Sequence, residues 1–132
     1  MLRASQFSQA LTHQSAYAEA LAAASDGLGT AEKTGYRQWE AELKRLEGVA
    51  LSGLNRPEEA QNALAEALRI AQKQQARAFE LRAAMSMARL WRSQGRPQQA
   101  RELLGPVYGW FTEGFDTRDL KEAKALLDEL SS

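Results

Sequence analysis

The sequence predicts an all-α protein: an α-solenoid of antiparallel helix pairs with a period of about forty residues, closed by a C-terminal capping helix. Three observations lead there. "NRPEEAQNAL" (55–64) and "GRPQQARELL" (95–104) align without a gap at an offset of forty, with Arg56 on Arg96, Pro57 on Pro97, Ala60 on Ala100 and Leu64 on Leu104. The same shift carries Glu19 onto Glu59, Ala20 onto Ala60, Ala23 onto Ala63, Leu28 onto Leu68, Ala31 onto Ala71, Lys33 onto Lys73, and Trp39-Glu40 onto Phe79-Glu80. Within each unit, apolar residues recur at three- and four-residue spacing, which lines one face of a helix.

The chain of 132 residues reads as one domain of three units, 1–34, 36–74 and 76–113, followed by a capping helix at 117–130. In the first unit, residues 1–14 fall opposite 41–54, Ala10 on Ala50 and Leu11 on Leu51. The chain therefore opens on the end of a first helix whose early turns are missing. Ser15 is the expected N-cap of the second helix. Such a start predicts an apolar edge at Leu2, Phe7, Leu11, Tyr17 and Leu21. That edge pairs with itself or with another chain, in the first case as a twofold homodimer. "SDGLGT" (25–30) lacks the strand–loop–helix setting of a phosphate cradle and reads as a weak or kinked patch of helix.

In the second unit, Trp39, Leu43, Leu46, Ala50 and Leu54 form one row of helix 36–53, and Gly48 and Leu51 add another. Two apolar rows suit a helix held between neighbours. Helix 57–74 has one stripe, Ala60, Ala63, Leu64, Ala67, Leu68 and Ala71. Asn55 is its expected N-cap, Glu58 the capping-box partner, and Pro57 is tolerated in the first turn. The third unit repeats the plan in 76–94 and 95–113. There Leu104, Val107, Tyr108 and Phe111 make the stripe, and Pro106 predicts a kink near Gly105. Gly114 is placed to end that helix in a left-handed cap, with Phe115 folding back as its contact. Trp110 falls off the stripe and is the aromatic expected to be exposed to a partner. Asp116 is the expected N-cap of the last helix, whose stripe is Leu120, Ala123, Leu127 and Leu130.

The skeleton Gly48, Leu51, Ala60, Leu64, Ala67, and again Ala88, Trp91, Ala100, Leu104, Val107, resembles the tetratricopeptide repeat. The period is longer than that family's standard unit, and Lys44 and Glu47 stand where its motif is apolar. The resemblance covers roughly residues 1–113 and implies a right-handed superhelix in which the first helix of each pair lines a concave groove. The strings "WEAELKRLEG", "ELRAAMSMARLWRSQGRPQQARELL" and "PVYGWFTEGFDTRDLKEAKALLDEL" are similar to the C-terminal tails of bacterial regulatory ATPases linked to adenylate/guanylate cyclase or DNA-binding domains. This implies an interaction or autoinhibitory segment of a signalling protein. No GxxxxGK[ST] phosphate loop is present in the sequence.

Charge and composition narrow the functional classes. Seventeen Lys and Arg balance seventeen Asp and Glu, so no global field favours nucleic acid or an anionic membrane. The absence of cysteine excludes disulfides, thiolate metal sites and a thiol nucleophile, and suits a cytoplasmic protein. No run of eighteen apolar residues spans a membrane, and no apolar run marks a signal peptide. His13 is the only histidine, without a second ligand for a metal. The carboxylates read as a solvated face with pairs such as Glu40–Lys44.

One charged row stands apart. Arg82, Met85, Arg89, Arg92 and Arg96 share one face of helix 76–94, and Arg45 matches Met85 one unit earlier. Two readings follow: an Arg-rich solvated face balanced by Glu, or groove contacts at Arg45, Arg82, Met85, Arg89 and Arg92. In the second, guanidinium groups meet the carboxylates or phosphates of an acidic peptide. The expected function is a non-enzymatic protein–protein interaction module without cofactor or metal, binding a protein or peptide or self-associating. The alternatives are a regulatory segment acting in cis within a larger signalling ATPase, cyclase or transcriptional regulator, and a small hydrolase or ligand-binding helical domain. The last requires a buried polar constellation.

Overall fold

Turn chemistry sets the architecture. In the computed structural model, which describes the backbone of residues 4–113 and 117–131 and the side chains from residue 13 onward within them, three successive helices end in the same motif. Asn55, Gln75 and Gly95 adopt left-handed φ of 63°, 56° and 75°. In each case the next amide donates back across the turn, Arg56 N to Leu51 O, Ala76 N to Ala71 O and Arg96 N to Trp91 O. These are Schellman caps, which satisfy the last carbonyls of a helix and reverse the chain within three residues. They fall at twenty-residue intervals, half the sequence period.

The helices so delimited are α1 (Ala4–Thr34), α2 (Glu40–Gly53), α3 (Pro57–Lys73), α4 (Arg77–Ser93), α5 (Pro97–Gly109) and α6 (Arg118–Leu130). Each packs on its neighbour in sequence, and α4 also packs on both α2 and α6. Among the described residues, the backbones of α1, α3 and α5 do not approach one another within 8 Å. Consecutive helices run antiparallel: a Cβ at Gly27 would meet Leu43, while one at Gly53 would meet Tyr17. Gln61 likewise accepts from Trp91 Nε1, and Gln72 donates to Glu80. The α2–α4–α6 set runs parallel. Glu42 pairs with Arg82, Arg45 with Ser86, Arg82 with Asp119 and Arg92 with Glu129, each partner about forty residues on.

The core lies between these helices. Leu64, Leu81 and Leu104 are its largest fully enclosed side chains, and Leu64 and Leu104 hold equivalent register places. The alanines of α3 and α4, including Ala60, Ala67, Ala84 and Ala88, are at or near zero exposure and allow close helix approach. Gly48 serves the same purpose, since a Cβ there would stand 2.6 Å from Leu64 Cγ and 3.2 Å from the Ala60 carbonyl. From α6 the core takes Leu120, Ala123, Leu126 and Leu130, with Leu127 half-buried, so the buried stripe runs through Leu126 rather than Leu127.

Several sequence expectations need correction. Ser15 is not an N-cap: it lies inside the single 31-residue helix α1, so the first unit is not a helix pair. "SDGLGT", by contrast, is helix within α1, as its register predicts. Asn55 is the left-handed residue closing α2, and α3 starts after Arg56 with no side-chain cap. The second helix begins at Glu40, leaving Trp39 exposed at its start against Phe79, ring centroids 5.7 Å apart. Glu40 pairs with Arg37, and Lys44 with Glu47, in place of the Glu40–Lys44 pair. α5 continues through Pro106 and ends at Gly109, not 113. The expected roles of Gly114, Phe115 and Asp116 lie outside the described residues.

Candidate functional site

The charged row on α4 is built by helical spacing and by the parallel neighbours on either side. Arg82 Nε donates to Asp119 Oδ2 at 2.8 Å, and its Nη1 to Glu42 Oε2 at 3.0 Å, so one guanidinium joins α2, α4 and α6. Arg89 Nη2 lies 3.6 Å from Glu122 Oε2. Arg92 pairs with Glu129. Arg45 pairs with Glu42 and donates from Nη1 to Ser86 Oγ at 3.2 Å. The acids that meet the α4 arginines come largely from α6, so this face is charge-balanced within the chain. Met85 is 2% exposed and belongs to the core; it reaches this face only as the floor. With so little surface it is not the exposed groove contact that its spacing predicts.

A cavity of about 330 Å³ opens on this face, lined by Arg45, Arg82, Arg89, Arg118, Asp119 and Glu122 above Met85. Its four guanidinium groups meet three carboxylates, Asp119 and Glu122 on the lining and Glu42 behind Arg45 and Arg82, which leaves a single net positive charge. Arg118 and Glu122 are one helical turn apart, Nε to Oε1 2.8 Å. The hydrogen bond from Arg118 is the main reason the Glu122 carboxyl titrates below its ordinary value of 4.5; partial desolvation opposes it, and the Arg118 and Arg89 charges add to it. Arg82 is held above its ordinary value, first by the hydrogen bond to Asp119 and then by that to Glu42. The arrangement can recognise carboxylates or phosphates by charge-assisted hydrogen bonds.

Trp110 caps α5 and is 56% exposed. The Arg77 guanidinium lies 4.5 Å over its ring, within cation–π range, and Phe111 meets it edge-on at 5.4 Å. Between them and Gln72, Glu80 and Val107 lies a cavity of about 290 Å³.

The N-terminal edge divides. Leu2 and the side chains of Phe7 and Leu11 lie outside the described residues. Tyr17 lays its ring on Gly53 and remains 37% exposed. Leu21 is half-buried and packs against its own chain's core, so it is not part of a free edge. Sequence reasoning missed the groove beside them. Between α1 and α2 is an apolar cavity of about 340 Å³ whose α2 wall is Leu43, Leu46, Val49 and Ala50. Leu46 and Val49 are 40% and 37% exposed. The register held the signal, because these apolar residues fall on Ser86 and Arg89 of the next unit.

His13 is exposed on α1. Among the described residues, no group of His, Asp and Glu is placed to hold a metal ion, and no helix is long and apolar enough to cross a membrane. No family model matches the chain, and neither a curated protein nor a solved structure does.

Proposed function

We propose that this chain is a tetratricopeptide-like, right-handed solenoid module that works by binding other proteins and itself carries out no catalysis. The observation that carries the reading is the parallel α2–α4–α6 set, whose side chains meet at forty-residue offsets, as in Glu42–Arg82 and Arg45–Ser86. Repetition of this kind builds extended surfaces from which partners are read. The ligand class suggested by the site is an acidic protein segment, which the Arg45, Arg82, Arg89 and Arg118 cavity suits in size and charge. Trp110 offers an aromatic anchor nearer the end of the stack. The reading sets the module in the cytoplasm, a compartment that suits a chain without cysteine. It also takes the module as able to self-associate through its N-terminal end.

A fluorescent Glu- and Asp-rich peptide titrated with the chain tests the ligand class by anisotropy. The expected result is saturable binding that weakens with salt and falls about tenfold in Arg118→Glu. Equal binding of an uncharged peptide of the same length, or no change in the variant, would contradict it.

A further inference from the structure

The α2 wall of the apolar groove beside α1 is partly uncovered: Leu46 faces α1, and Val49 stands at the rim that also borders α4. Leu46 and Val49 hold the register places of Ser86 and Arg89, which α2 covers or flanks on α4 through Arg45 and Val49. A helix seated on α2 as α2 sits on α4 would fill the apolar groove.

By register the residues for that helix are 1–14, opposite 41–54. From Ala4 onward they do not fold back. α1 is one continuous helix, and Tyr17 stands level with Gly53, the last residue of α2. Residues 4–16 therefore continue past the end of α2 by about 20 Å at a rise of 1.5 Å per residue. The positions where other units reverse read Asn55-Arg56-Pro57 and Gly95-Arg96-Pro97; here they read Ser15-Ala16-Tyr17. A helix in place of a reversing turn, with an empty place for the segment it carries, is the geometry of exchange between identical chains.

We infer that two copies of this chain exchange their N-terminal arms, residues 4–14 of each seating in the α1–α2 groove of the other against Leu46 and Val49. This deepens the self-association reading and depends on the forty-residue stack, not on acidic peptide binding. The arm has the chemistry for the place: Ala4, Phe7 and Leu11 recur at helical spacing. The groove offers Tyr17, Ala20, Leu43, Leu46, Val49 and Ala50.

The chain has no cysteine, so two introduced ones report cleanly. In Ser5→Cys/Leu46→Cys, Ser5 takes the register place of Arg45 and Leu46 that of Ser86, which touch. Within one chain with continuous α1 these sites are about 28 Å apart along the helix axes. A short bis-maleimide should therefore give a covalent dimer in high yield. Adding Val49→Glu, which sets a charge in the groove, should lower that yield about tenfold while far-ultraviolet circular dichroism keeps its helical signal. An intrachain cross-link would overturn the inference by showing that the arm folds back on its own chain. Absence of any cross-link, or a dimer indifferent to Val49→Glu, would overturn it as well. The acidic-peptide titration is independent of all these outcomes.

Discussion

Gly48 and Leu64 show how a single residue sets the distance between helices. A methyl at Gly48 would come within 2.8 Å of two Leu64 carbons and 3.2 Å of the Ala60 carbonyl. Gly48→Ala should therefore cost about 1–3 kcal/mol in urea unfolding, since overpacking displaces side chain and backbone together. Gly29→Ala should do the opposite. Nothing lies within 4 Å of its Cβ position, and the helix there gains about 0.4–1 kcal/mol from a less flexible unfolded chain. Leu64→Ala and Leu104→Ala empty equivalent enclosed places and should each cost about 2–5 kcal/mol. The chain's repetition predicts similar losses from both. Arg82 acts differently, because its two carboxylate partners lie on different helices. It is partly exposed, so an Arg82/Asp119 double-mutant cycle should show a coupling of only about 0.5–1 kcal/mol.

Caps and register govern the elements. Gln75 sits at a left-handed φ of 56°, a conformation in which a side chain is strained. Gln75→Gly should stabilise the fold, and Gly95→Ala, at φ 75°, should destabilise it, each by about 1 kcal/mol in urea unfolding. The stripes of α3 and α5 were legible in the sequence because alanine and leucine recur there on one face. The Glu42–Arg82 pair was not read from the sequence, although its two charges stand one period apart. The cap at Asn55 was misread, since Asn serves equally as an N-cap and as a left-handed C-terminal residue; φ decides, and composition does not. The continuity of α1 through Ser15 was also hidden. Gln75 and Ala76 turn without Gly or Pro, while Ser15 and Ala16 do not turn at all. Local residues leave both states open there. The neutralised arginines of α4 required knowing that α6 runs parallel beside it, which spacing within one helix cannot tell.

At the scale of the whole molecule, charge pairing makes stability depend on pH in a known direction. Glu66 and Glu122 both titrate below their ordinary 4.5, chiefly through hydrogen bonds from Arg69 and Arg118. Such groups add stability above the carboxylate range and lose it as pH falls through their lowered values. The melting temperature should therefore be lower near pH 3 than near pH 6. The drop should be small, because both side chains are more than a third exposed. The central claim is that the parallel layer of α2, α4 and α6 is open at α2 and closed by a second copy. Light scattering on the eluting chain tests it most directly. A mass near 29.2 kDa, twice 14.6 kDa, that returns to 14.6 kDa in Leu46→Glu is the predicted result. A mass of 14.6 kDa for the unmodified chain at every concentration would contradict it.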